Sequence, residues 1–135
     1  MRNRGSVVLI LNNRVGLIQR DWNESVYYIF PGGGIEPGET PESAATREAL
    51  EEVGVEVEIQ QHLATVKFNG TQYFFQAKII GGEFGLGRGD EYADPTRNRG
   101  TYLPVWIDLD NLNNLDVRPK EVSMVIQKSE RGNGK

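Results

Sequence analysis

Residues Phe30 to Val55, FPGGGIEPGETPESAATREALEEVGV, constrain this chain more than any other stretch, because a glycine-rich turn runs directly into a short acidic helix. Thr40 is a good helix cap, Pro41 suits the first helical position and Glu42 complements the positive end of the dipole. The pattern predicts a helix from Pro41 to Val53, stopped by Gly54 in the left-handed conformation. At about 100° per residue, Glu48, Glu51 and Glu52 span roughly a 100° arc and aim at one patch of space. Like charges so placed repel, so something positive is expected there. A hard divalent cation with oxygen ligands meets that need most economically and would itself attract phosphate. Gly32, Gly33, Gly34 and Gly38 read as a turn using backbone angles closed to other residues and letting main chain approach a ligand.

The remaining chain reads as strands around this helix. Ser6–Leu11 and Val15–Gln19 form a hairpin across Asn12-Asn13, Arg20–Ser25 is a polar connection, and Val26–Phe30 is a third strand. Val55–Gln60 alternates as a half-buried strand, and Leu63–Phe68 and Thr71–Ile80 flank Asn69-Gly70, a strong hairpin signal. Gly81–Thr101 reads as a long surface loop carrying Asp90 and Glu91, and such loops in compact domains are often functional. Tyr102–Ile107 is a last strand, which Pro104 places at an edge or a bulge. Asp108–Asn114 is a short turn or helical turn, and Pro119 opens a helix to about Lys128 that buries Val122, Val125 and Ile126. At 135 residues the chain is expected to be one domain, 1–135, with 129–135 as a flexible tail.

Composition narrows the function. With no cysteine there is no disulfide, zinc-thiolate site or thiol nucleophile. A net charge of -4 argues against a nucleic acid polymer as partner, since phosphate-backbone binders present an excess of Lys and Arg. No segment approaches a membrane span and Val7–Leu11 is too short for a signal-peptide core, so a cytoplasmic location and no membrane partner are expected.

The central stretch resembles the signature of the Nudix hydrolases (MutT-like). That signature is Gly, five residues, Glu, seven residues, then Arg-Glu-aliphatic-any-Glu-Glu-any-Gly-aliphatic. It falls here on Gly33, Glu39, Arg47, Glu48, Ala49, Glu51, Glu52, Gly54 and Val55 with every spacing kept. Ala49 is smaller than the aliphatic the pattern asks for. At about one in fifteen per fixed residue, seven specified positions match by chance on the order of once in 10^8 windows. An acidic helix face is ordinarily a solvated face. The complete signature reverses that reading.

The resemblance implies an α/β (α+β) fold, a Nudix-type α/β/α sandwich with a mixed, partly antiparallel sheet flanked by helices. It implies that Glu48, Glu51 and Glu52 bind Mg2+ or Mn2+, joined by a main-chain carbonyl, here Gly32. Arg47 is implied to orient the glutamates by ion pairing, Gly33 and Gly54 to shape the box, and Glu39 to hold its loop. Water then attacks one phosphorus of a nucleoside diphosphate linked to a further group, with the base either a box glutamate such as Glu51 or Glu48, or a loop carboxylate, Glu91 before Asp90. The implied substrate is a small nucleotide, foremost a normal or oxidised (deoxy)nucleoside triphosphate cleaved to a monophosphate and pyrophosphate. A dinucleoside polyphosphate or nucleotide sugar is the alternative, and a non-catalytic nucleotide sensor the more distant one. Outside the box, Arg4 and Arg20 are candidates for substrate phosphate or base, against the ordinary reading as surface arginines. Tyr28, Phe75 and Tyr102 are candidate stacking faces for a base, against the ordinary reading as core or sheet-surface residues. Monomer and homodimer both remain open.

Overall fold

The computed structural model describes residues 2–85 and 101–133, with side chains of the last helix described up to residue 128. Strands β1 (Arg4–Leu11) and β2 (Arg14–Trp22) form the expected antiparallel hairpin, its turn made by Asn12 and Asn13 at φ 53° and 62°. Such left-handed angles match the twist of a tight hairpin, and asparagine tolerates them better than most residues. Strand β3 (Ser25–Ile29) pairs with β2 from Ile18↔Ile29 to Trp22↔Ser25. The polar stretch Arg20–Ser25 is therefore mostly strand, with only Asn23 and Glu24 turning, at φ 54° and 66°. Cross-strand pairing of Arg20 with Tyr27 and Tyr102 overrides the polar composition.

Gly32–Gly34 forms a short strand, β4, antiparallel to Arg4–Ser6 of β1, where the sequence suggested a turn. Of the glycines in that stretch, Gly38 takes a positive φ, 85°. The other three are needed for room. A Cβ on Gly32 would collide with Ser6 Oγ, one on Gly33 with the carboxylate of Glu48, and one on Gly34 with the guanidinium of Arg2. Helix α1 (Pro41–Val53) then follows as expected. Thr40 Oγ1 accepts from Ser43 N, Thr40 N donates in return to Ser43 Oγ, and Gly54 closes the helix at φ 81°.

Beyond α1 come β5 (Val55–Lys67) and β6 (Thr71–Gly82), joined at Asn69-Gly70 with φ 51° and 102°. The two strands expected in 55–68 are one, because register shifts at Glu56/Val57, Ile59/Gln61 and His62/Ala64 let the chain bend without leaving β6. These bulges also rotate the strand. Val55, Val57 and Ile59 face one core, whereas Leu63, Ala64 and Val66 face the other. Strand β7 (Thr101–Asp108) pairs with β2, and among the described residues it has no second neighbour, so Pro104 sits on an edge. A 3-10 helix (Leu109–Asn114), the two-residue β8 (Val117–Arg118) and helix α2 (Lys120–Asn133) complete the chain. Helix α2 runs on past Lys128, and Val122 and Ile126 are buried on it while Val125 is only partly covered.

The result is a mixed, curled sheet flanked by helices. The pairs β1–β6 and β3–β8 are parallel, and every other pairing of the described strands is antiparallel. Successive residues of β1 feed opposite layers, with Val7 and Leu9 facing α1 and Val8 facing the α2 core. Ala44, Ala45 and Ala49 are fully buried, so small side chains bring α1 close onto β1, where a Cβ on Gly5 would meet the backbone of Pro41 and Ala45. The small residue in the aliphatic slot, Ala49, thus serves close packing. Leu50, read from sequence as part of the apolar face, is instead 51 % exposed. Among the described residues no helix is long and apolar enough to cross a membrane.

Candidate active site

Arg47 is the hub of the box. Its Nε and Nη2 make a two-pronged contact with Glu39, at 2.8 Å to Oε2 and 3.0 Å to Oε1. Its Nη1 donates to Glu48 Oε2 and to Glu51 Oε1, both at 3.0 Å, and Nη2 also reaches the Gly34 carbonyl at 3.0 Å. The planar fork of arginine suits such multiple bonding, which a lysine ammonium cannot reproduce. The positive charge demanded by the crowded glutamates is thus supplied first from within the helix, by an i,i+4 pair to Glu51 and the neighbouring Glu48. Glu52 points elsewhere, and its Oε1 accepts from the Gly32 amide at 2.7 Å. The Gly32 carbonyl, in turn, accepts from Arg4 Nη2 at 3.3 Å. The glycine strand is therefore tied to α1 through the Gly32 amide and to β1 through the Gly32 carbonyl.

Electrostatics separate the carboxylates. Arg47, helped by the Glu36 amide, holds the Glu39 carboxyl far down, at about 2. Burial pushes Glu48 the other way, above its ordinary value, although Arg47 opposes the rise. Glu39 thus meets its counter-charge in Arg47, whereas Glu48, also bonded by Arg47, is held up by burial. The Glu39 side can be measured directly. Carboxyl carbon shifts followed by NMR are expected to give Glu39 an apparent pKa near 2 in the wild type and, in Arg47→Ala, a value returned close to that of an ordinary glutamate. Because the folded-state pKa is depressed, this contact stabilises fully above the ordinary glutamate pKa and fades as pH falls toward 2. An unchanged Glu39 titration in the variant would show that Arg47 is not the cause.

The donors at the patch are hard carboxylate and carbonyl oxygens, a set that fits Mg2+ or Mn2+. Among the described residues no three acidic or histidine side chains already converge as a cage. Arg47 lies on Glu48 and Glu51, and Glu52 is engaged by Gly32, so a cation taken here competes with these partners for the same oxygens.

Beside the box opens a cleft of about 430 Å³ lined by residues of β1, β3, β5, β6, β8 and α2. Arg4 and Ser6 of β1 line it, with Phe30, Phe68 and Phe74 among its apolar walls and Glu121 contributed by α2. Arg4 belongs to both places, since the residue that lines the cleft also bonds Gly32. The other outlying candidates fall elsewhere. Phe75 is 3 % exposed in the core under α1, edge-on to His62, and presents no face to a base, a correction that follows from its facing α1 rather than the cleft. Tyr28 packs against the α2 core and does not line the cleft. Tyr102 is covered by the Arg20 guanidinium at 3.7 Å, and Arg20 Nε also donates to the Thr101 carbonyl. The aromatic residues that do line the cleft, Phe30, Phe68 and Phe74, escaped the sequence reading because no local signal marks which of several strand aromatics face one opening. Glu91 and Asp90 lie outside the described residues.

With this arrangement in view, comparison with known proteins is decisive on family. The family model for the NUDIX domain matches residues 1–125. The chain belongs to the Nudix family. Its members act on nucleotide pyrophosphate bonds and generally use divalent metal cations. A Bacillus subtilis protein provisionally named an 8-oxo-dGTP diphosphatase is 31 % identical over 86 residues, 62 % of this chain and 58 % of the relative. An RNA pyrophosphohydrolase of Pseudomonas fluorescens is 46 % identical over 66 residues, 47 % of this chain and 41 % of the relative. The chain spans about half the length of the curated relatives it matches. A solved NUDIX hydrolase from Nitrosomonas europaea shares the fold, with a TM-score of 0.70 at 20 % identity over 97 % of this chain and 89 % of that one.

Proposed function

We propose that this Nudix protein is a divalent-metal-dependent pyrophosphohydrolase that cleaves a normal or oxidised (deoxy)nucleoside triphosphate to a monophosphate and pyrophosphate. The observation that carries the reading is Arg4, which lines a nucleoside-sized cleft while bonding the strand that holds Glu52. A cleft of this volume falls in the range of small-molecule sites and suits one nucleoside. The base and sugar occupy the cleft, and the phosphates run past Arg4 to Glu48, Glu51 and Glu52. Those three carboxylates, with the Gly32 carbonyl, would hold Mg2+ or Mn2+, which supplies charge neutralisation and a lowered pKa for water. The protein itself orients the diphosphate through Arg4 and fixes the carboxylates through Arg47. A box glutamate, Glu51 or Glu48, or the loop carboxylate Glu91, accepts the proton of the attacking water.

A panel of nucleoside triphosphates, dinucleoside polyphosphates, nucleotide sugars and a 5′-triphosphorylated oligoribonucleotide, each with Mg2+, tests the proposal by its products. Nucleoside triphosphates are expected to yield monophosphate and pyrophosphate, with turnover lost on chelation and restored by Mg2+. No turnover on any member would leave the nucleotide-sensor reading. Preferential turnover of the oligoribonucleotide would instead place this chain functionally beside its RNA pyrophosphohydrolase relatives.

A further inference from the structure

Lys67 to Thr71 form the tip of the β5–β6 hairpin, where Phe68, 67 % exposed, lines the cleft together with Lys67. Two side-chain bonds shape this tip from within. Gln72 Nε2 donates to the Phe68 carbonyl at 3.1 Å, and Lys67 Nζ donates to Thr71 Oγ1 at 3.3 Å. Bonds inside a hairpin fix its form but not its lean over the cleft. Asn3 attaches the tip from outside: its Oδ1 accepts from the Thr71 amide at 3.0 Å, and its main-chain carbonyl accepts from the Ile35 amide at 2.9 Å. The Thr71 amide is a donor, so it fixes which end of the Asn3 side chain faces it. Beside this bond the Arg2 carbonyl lies so near Gly70, at φ 102°, that a Cβ there would collide with it.

Asn3 therefore joins the mouth of the cleft to the box. Ile35 opens the loop that leads to Glu39, where the Glu36 amide donates to Glu39 Oε1 at 2.9 Å and Arg47 Nε to Oε2 at 2.8 Å. Asn3 itself does not line the cleft, whereas Arg4, the next residue, does. Building on the nucleotide reading above, we infer that Asn3 is a substrate-positioning residue, whose side chain holds the Phe68 turn against the bound nucleoside at a fixed place relative to the box loop. Its two bonds separate the consequences of substitution. Removing the side chain frees the cleft mouth, while the main-chain bond to Ile35 and the carboxylates behind it stay in place. The turn then spends part of its time away from the ligand, and apparent affinity falls with the fraction in place. One hydrogen bond of ordinary strength sets the scale at about fivefold.

Asn3→Ala and Asn3→Asp test this by affinity and by turnover. Affinity is measured by calorimetry without metal, on the nucleoside triphosphate that the wild type binds most tightly. Asn3→Ala is expected to weaken binding about fivefold, to raise KM by a like factor and to leave kcat within about twofold. Followed by NMR, the Thr71 amide is expected to exchange its proton about fivefold faster in this variant, with the Ile35 amide unchanged. Asn3→Asp keeps an acceptor oxygen in the same place and is expected to restore affinity, KM and Thr71 protection to within about twofold of the wild type. Asn3 is exposed, so both variants keep the fold, and melting temperatures within a few degrees verify this. Wild-type affinity in Asn3→Ala, whatever the exchange at Thr71, would reduce the bond to a brace of the hairpin and overturn the assignment. A fall in kcat with KM unmoved would overturn it too, as would failure of Asn3→Asp to restore binding. Nucleotide bound with this dependence on Asn3 but never hydrolysed would refute the pyrophosphohydrolase reading and leave the positioning role. Nucleotide hydrolysed with no dependence on Asn3 would do the reverse, and a wild type that binds no nucleoside triphosphate would overturn both.

Discussion

Glu52→Gln is expected to lower kcat on the best nucleoside triphosphate at least about 10^3-fold, roughly 4 kcal/mol of barrier, while leaving fold and monophosphate binding in place. The substitution is nearly isosteric. Glu52 Oε1 accepts from the Gly32 amide at 2.7 Å, and the carboxamide oxygen of glutamine can accept the same bond. What disappears is the negative charge that the proposed binding of a hard cation requires. The bond to Gly32 weakens from charged to neutral, a change of about 1 kcal/mol, so the melting temperature should move by only a few degrees. Monophosphate affinity measured without metal should stay within about twofold, because Arg4 lines the cleft and Glu52 does not. Turnover within tenfold of wild type would remove Glu52 from the metal-binding set.

Arg47→Ala is expected to fail in a different way, losing activity and stability together. Arg47 bonds Glu39, Glu48, Glu51 and the Gly34 carbonyl, so its removal leaves three carboxylates repelling one another and the strand-to-helix loop untied. The Arg47 side chain is 31 % exposed, and partial solvation reduces the cost of a broken cluster to roughly 1–2 kcal/mol, about 3–8 °C in melting temperature. Misplacing Glu48 and Glu51 by even 1 Å costs turnover roughly 10^2-fold or more. Arg47→Lys distinguishes charge from geometry. Lysine restores a positive charge but lacks the fork that spans Glu39 and Gly34, so stability should recover in part and kcat should remain low. Were the lysine variant fully active, bulk charge alone would account for Arg47. Wild-type stability in Arg47→Ala would mean that solvent already neutralises the cluster.

The box was legible in the sequence because its information is local. Thr40, Pro41 and Gly54 mark the ends of α1 by backbone chemistry that operates within a few residues, and the structure has the helix at those limits. The spacing of Arg47 and Glu51 likewise ensures contact on any helix. The hairpins at Asn12-Asn13 and Asn69-Gly70 follow from residues that tolerate left-handed angles. Errors begin where partners come from far along the chain. Arg20–Ser25 looked like a connection until pairing with β3 and β7 made most of it strand. Phe75 looked available to a base, yet alternation along β6 sends Phe74 toward the cleft and Phe75 under α1.

Gly32, Gly33 and Gly34 show the division most clearly. A glycine run ahead of an acidic helix announces a site from sequence, and flexibility is the natural explanation for it. The fold supplies another reason: β4 lies against Ser6, Glu48 and Arg2 so closely that no Cβ fits. Sequence alone reaches as far as the reaction type, because the spacing of the box carries the resemblance to the Nudix hydrolases, which implies that chemistry. The cleft and its aromatic walls arise only when β1, β3, β5, β6, β8 and α2 come together, and the meeting of Arg4, Gly32 and Glu52 only when β1, β4 and α1 do. Contacts between residues 28 and 20 positions apart carry no local signature, so packing alone could assemble them.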